Sequence, residues 1–124
     1  MKDTILEYIR ERPGTIFGDL CSDIPGFSGE LAMTDPNFPT VILWPSVSKE
    51  GVDALGGLIT EKQVRMDGAS QLSYFMAGYV STLPIAKGFK KYKSDHWLPV
   101  CFSVAEKPAK LLSKKKTKMS LTRQ

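Results

Sequence analysis

Four lysines and two aromatic residues interleave in Lys87-Gly88-Phe89-Lys90-Lys91-Tyr92-Lys93. Lysine supplies a point charge for phosphate, and a Phe or Tyr ring stacks on an unpaired base or packs inward. A second cationic run follows, with Lys107, Lys110, Lys114, Lys115, Lys116, Lys118 and Arg123. Contacts of this kind hold a polyanion but carry no sequence information. The bland reading stands beside this one: a basic loop with Phe89 and Tyr92 in the core, and a tail whose lysines are only solvated.

Catalytic and metal chemistry find little support. The single histidine, His96, lies in Ser94-Asp95-His96-Trp97 and reads as structural or exposed. Cys21, Cys101 and His96 have no zinc-ligand spacing. No nucleophile elbow, Walker loop or dinucleotide fingerprint is present. Asp19 and Asp23, four apart, read as surface carboxylates, and Trp44 and Trp97 as core or interface aromatics. The expectation is a protein that is not an enzyme and needs no cofactor or metal.

The formal net charge of +4 is unevenly spread. Residues 1–86 hold 6 Lys/Arg against 11 Asp/Glu, residues 87–105 hold 4 against 1, and residues 106–124 hold 7 against 1. The body is mildly acidic and the C-terminal third basic, so a polyanion is expected to meet one end of the chain.

At 124 residues, with 42% hydrophobic and 24% charged, the chain has the size and composition of one globular domain. The boundaries drawn are a domain over 1–105 and a basic flexible tail over 106–124. No apolar run reaches the length of a membrane span, and Met1-Lys2-Asp3-Thr4 does not open a signal peptide. With only two cysteines, a reduced, cytoplasmic protein is expected over a disulfide-linked one.

The elements that must position these residues can be read in order. Asp3 or Thr4 caps a first helix, with Thr4 and Glu7 at capping-box spacing and Ile5, Leu6 and Ile9 on its apolar face. Pro13-Gly14 ends it. Thr15 caps a second helix that stops at Pro25-Gly26. Residues 27–39, rich in Gly, Pro, Asp and Asn, read as a loop. Val41-Ile42-Leu43-Trp44 is a short strand closed by Pro45. Ser46 or Ser48 caps a third helix with Val52, Leu55, Leu58 and Ile59 on one stripe. Alternation around Asp67-Gly68 predicts a hairpin over residues 64–76. Leu98, Val100, Phe102 and Val104 alternate in a last strand, with Pro99 favouring an edge position or a bulge.

Three helices on a small antiparallel sheet, ending in a hairpin and a basic C-terminal tail, make an α+β fold that resembles the winged helix-turn-helix class. The stretch Trp44–Val64 carries most of the likeness: a capped helix with an Ala54-Leu55-x-x-Leu58 inner face running into the hairpin. Small phage and plasmid accessory proteins share this pattern. The resemblance implies double-stranded DNA as partner, with the third helix and wing as readers. Ser48, Lys49, Gln63, Arg65 and Gln71 would then face bases, while Lys87, Lys90, Lys91, Lys93, Lys114, Lys115 and Lys116 would meet phosphates. Two departures are visible. Lys62-Gln63 stands where such helices often end in Gly. The outward set Lys49, Glu50, Asp53, Gly57, Thr60 and Glu61 has three acids to one base, which repels phosphate.

Two functions follow. One is a DNA-binding transcriptional regulator or accessory factor of winged-helix type. The other is a protein–protein interaction module whose acidic third helix docks on a basic partner or mimics the charge of DNA. Nothing in the sequence specifies an oligomeric state.

Overall fold

The computed structural model describes residues 1–105. The basic tail, including Lys114, Lys115 and Lys116, lies outside the described residues. The order is α1 (Lys2–Glu11), β1 (Thr15–Ile16), α2 (Phe17–Asp23), β2 (Ser28–Asp35), β3 (Phe38–Val47), α3 (Lys49–Thr60), β4 (Val64–Gly68), α4 (Gln71–Met76), β5 (His96–Trp97) and β6 (Val100–Val104). This is an α+β fold with four described helices and two three-stranded sheets, ordered β1-β6-β4 and β2-β3-β5. All pairings are antiparallel except β3 with β5.

The helices close on one apolar interior. Ile5 and Ile9 of α1, Phe17 and Leu20 of α2, and Leu55 and Leu58 of α3 are buried. They meet Trp44, Tyr74, Trp97 and Phe102 in a single cluster. Phe17 sits among aromatics, stacked on Trp44 at 5.8 Å and edge-on to Phe102 at 5.1 Å. Ring pairs at such spacing add about 0.5–1.5 kcal/mol beyond burial.

Several expectations are corrected. The helix α1 starts at Lys2 with Met1 in the cap position, so Asp3 and Thr4 lie inside its first turn and form no capping box. Thr15 belongs to β1; the cap of α2 is Ile16, whose backbone N–H donates to Asp19 Oδ2 at 3.2 Å. The stretch 27–39 expected as a loop is mostly strand: β2 and the start of β3 form a hairpin that turns between Asp35 and Phe38. Its first strand hides only Met33, and its register shifts repeatedly, which is why turn-forming residues fit there. The β3 strand runs through Pro45 to Val47.

The largest correction concerns the wing. Residues 71–76 form α4, capped by Ser70, whose Oγ accepts from the Ser73 N–H at 3.1 Å. Strand β4 instead pairs with β6, from Val64–Val104 to Gly68–Val100. That makes β6 the central strand of its sheet, not an edge. Pro99 is accommodated because it falls one residue before the strand begins.

Candidate functional site

The sequence points to a reading face on α3 and a wing; the structure places these residues at the start of α3, around β4 and at the start of α4. Ser48 caps α3: its hydroxyl accepts from the Gly51 N–H at 2.9 Å and donates to the Gly26 carbonyl at 2.6 Å. Both functions of that hydroxyl are thus engaged within the fold. Lys49 is paired one turn on with Asp53 at 3.0 Å. Gln63 donates to Glu61 at 3.2 Å, and Arg65 on β4 pairs with Asp67 at 2.7 Å. Gln71 is exposed in the first turn of α4. Leu55 and Leu58 do face inward, leaving Lys49, Glu50, Asp53, Thr60 and Glu61 exposed.

The same pairing runs through the whole N-terminal body. Lys2 meets Glu61 at 2.7 Å, Arg10 meets Glu7 at 2.7 Å, and Arg12 meets Glu11 at 3.4 Å. Of the six Lys and Arg side chains in residues 1–86, only Lys62 makes no ion pair among the described residues. Each such pair is electrically neutral a few ångströms away, so this surface offers a distant phosphate little attraction.

The 87–93 segment is different. Lys87, Lys90, Lys91 and Lys93 are all exposed, and none lies within ion-pair distance of an acid among the described residues. The aromatics between them give the segment its shape. Tyr92 stacks on His96 with ring centroids 4.0 Å apart. Its hydroxyl accepts from the Lys87 N–H at 2.8 Å, and its carbonyl accepts from the Thr40 hydroxyl at 3.0 Å. Tyr92 thus ties both ends of the loop to the β3–β5 sheet. Phe89 leans on Phe38 at 5.9 Å and remains 40% exposed, leaving part of its ring open between the lysines. His96, whose Nδ1 lies 2.9 Å from the Ser94 carbonyl oxygen, works as a support for Tyr92.

A second surface feature escaped the sequence reading. The alternation of Leu72, Tyr74 and Met76 with Ser73 and Phe75 points to the second strand of a hairpin. On the actual helix only Tyr74 is buried, while Leu72, Phe75 and Met76, with Val80 just beyond, are 63, 61, 77 and 79% exposed. The signal available was the short Ser70-x-x-Ser73 cap, which competes with the alternation. Cys21 and Cys101 are free and half-buried, and the described residues contain no cluster suited to a metal ion. No described helix is long and apolar enough to cross a membrane. No protein-family model, curated protein or solved structure matches the chain.

Proposed function

We propose that this chain is a small nucleic-acid-binding protein, an accessory or regulatory factor, whose phosphate contact is made by the 87–93 segment. The observation that carries this reading is the contrast in pairing: five of the body's six cations are paired with neighbouring acids, and the four loop lysines have no ion pair among the described residues. The half-open Phe89 ring adds a surface on which an unpaired base can stack. Lys114, Lys115 and Lys116 extend the cationic run in sequence. Neutralising four to six phosphates gives a slope of log K against log salt of roughly −4 to −5. With no wing and an α3 face rich in acids, this contact is a backbone clamp and not a base reader.

The test is fluorescence anisotropy with a labelled mixed-sequence duplex and the matching single strand. Reversing Lys87, Lys90 and Lys91 to Glu in the 124-residue chain should abolish binding to both. Unchanged affinity in that variant would overturn the proposal.

One observation favours a protein-interaction module as second reading. Four large apolar side chains stand exposed on and just after α4, more than a short helix needs for its own packing. On that reading the contact is apolar and nearly insensitive to salt, the opposite of the polyanion contact.

A further inference from the structure

Strand β4 lies at one end of the β1-β6-β4 sheet. The end strand of a sheet offers its unpaired backbone groups to another strand. The other three end strands are short or irregular: β1 and β5 have two residues each, and β2 shifts register repeatedly along β3. Strand β4 keeps a continuous register over Val64–Gly68, with neither Pro nor a bulge to blunt it.

The ladder with β6 fixes which of its groups are left over. The Ala105 N–H donates to the Gln63 carbonyl and the Ala69 N–H to the Pro99 carbonyl, both at 3.0 Å. Bonded and non-bonded pairs alternate along an antiparallel ladder, so Arg65 and Asp67 also turn their backbone groups to β6. Val64, Met66 and Gly68 turn theirs outward. Among the described residues, the one polar contact to these outward groups is the Cys101 thiol, 4.0 Å from the Gly68 carbonyl oxygen. A Cβ placed on Gly68 would meet nothing within 4 Å, so this end of the strand is uncrowded.

The side chains along this edge are complementary to themselves. Arg65 is exposed and Asp67 half-buried, and they pair at 2.7 Å through Arg65 Nε. The two terminal nitrogens of the guanidinium have no partner among the described residues. When β4 runs antiparallel to a second copy of itself, centred on Met66, each Arg65 falls opposite Asp67 of the other copy. In that register the outward groups also meet: Met66 bonds to Met66 of the second copy, and Val64 to its Gly68. Arg65 and Asp67 then occupy non-hydrogen-bonded positions, where opposed side chains come closest. Sliding by two residues in either direction sets Arg65 against Arg65 or Asp67 against Asp67, which like charge disfavours.

We propose that the β4 edge is a self-association surface, at which two copies of this chain join antiparallel about Met66 into one continuous sheet. The contact is isologous, as a two-fold dimer requires. A five-residue edge is a small interface, so the association is weak and concentration-dependent. It uses none of the lysines of the 87–93 segment, and does not rest on the nucleic-acid reading.

The experiment combines sedimentation equilibrium with amide hydrogen exchange on the ¹⁵N-labelled 124-residue protein, from about 20 μM to about 1 mM. The parent is expected to shift from monomer towards dimer across that range. The amides of Val64, Met66 and Gly68 should gain protection as it does, while those of Arg65 and Asp67, bonded to β6, stay protected throughout. Arg65→Asp and Asp67→Arg each set like charges against each other twice, and should weaken association roughly tenfold or more. Combining the two exchanges restores the opposed pairs and should bring association back to within about twofold of the parent. A monomer at the highest concentration would overturn the proposal. So would a dimer in which the three outward amides gain no protection, or one that both single exchanges leave as tight as the parent.

Discussion

The phenolic oxygen of Tyr74 lies 2.6 Å from the carbonyl oxygen of Val100 and donates its proton to it. The same oxygen accepts from the backbone N–H of Phe17 at 3.2 Å. One side chain from a six-residue helix thereby satisfies backbone groups of β6 and of the start of α2. Burial pushes this phenol far above its ordinary range, which favours the protonated form that donates. Tyr74→Phe leaves a buried N–H and a buried carbonyl without this partner, and is expected to destabilise by about 1–3 kcal/mol in urea unfolding. Phe75→Ser, one residue on and exposed, should stay within about 0.5 kcal/mol of the parent. Similar losses in both would mean that α4 is not anchored through Tyr74.

Tyr74 also marks where sequence pattern and fold part company. The helices α1 and α3 are legible because their apolar residues recur at helical spacing and their interior positions, such as Ile5, Ile9, Leu55 and Leu58, are buried. The last strand is legible from alternation, with Val100 and Phe102 inside. In residues 72–76 alternation misleads, because a single turn of helix can also place apolar residues two apart when most of them face solvent. Residues 28–39 mislead in the other direction: an edge strand with one buried side chain has no period to read. The cationic loop was legible because charge clusters are local in sequence. The neutralisation of Lys49 by Asp53 follows helical spacing and could have been read. That of Lys2 by Glu61, 59 residues away, could not.

The end of α3 shows how a missing glycine was replaced. Lys62 has φ of +62°, the left-handed conformation that favours Gly. Its N–H reaches the Ile59 carbonyl at 3.0 Å, and the Gln63 N–H reaches Leu58 at 2.9 Å, the paired bonds of a Schellman cap. A side chain in that conformation costs roughly 1–2 kcal/mol, partly offset because Gly loses more entropy on folding. Lys62→Gly is therefore expected to raise stability by a few tenths to about 1 kcal/mol, and Lys62→Val to lower it. Thermal unfolding of the pair checks the sign, and a destabilised glycine variant would contradict the cap.

Alkaline pH should loosen the contact between α1 and α2. Tyr8 donates to Asp23 Oδ2 at 2.5 Å, with the Arg12 guanidinium 4.3 Å from its ring centroid. Burial, then the hydrogen bond and charge of Asp23, push its phenol from 10.0 up to about 12. The folded state thus holds the proton more tightly than the unfolded chain. The resulting stabilisation is full below pH 10 and is lost as pH rises towards 12. Asp23→Asn removes the carboxylate and should move the Tyr8 titration down, towards 10, in ultraviolet absorbance. Titration unmoved by that substitution would leave burial as the sole cause.

The salt dependence of nucleic-acid binding separates the loop lysines from the residues that a winged helix would use. If Lys90 and Lys91 each neutralise one phosphate, Lys90→Ala and Lys91→Ala should each reduce the magnitude of the log–log salt slope by about 0.9 on duplex DNA. The loss should be the same on unrelated sequences, since phosphate contacts do not read bases. Lys49→Ala and Arg65→Ala start from cations already paired with Asp53 and Asp67. Their slopes and sequence preference are expected to match the parent. A base-specific loss of about 1–3 kcal/mol in either would restore α3 or β4 as a reader and displace the loop from its proposed role.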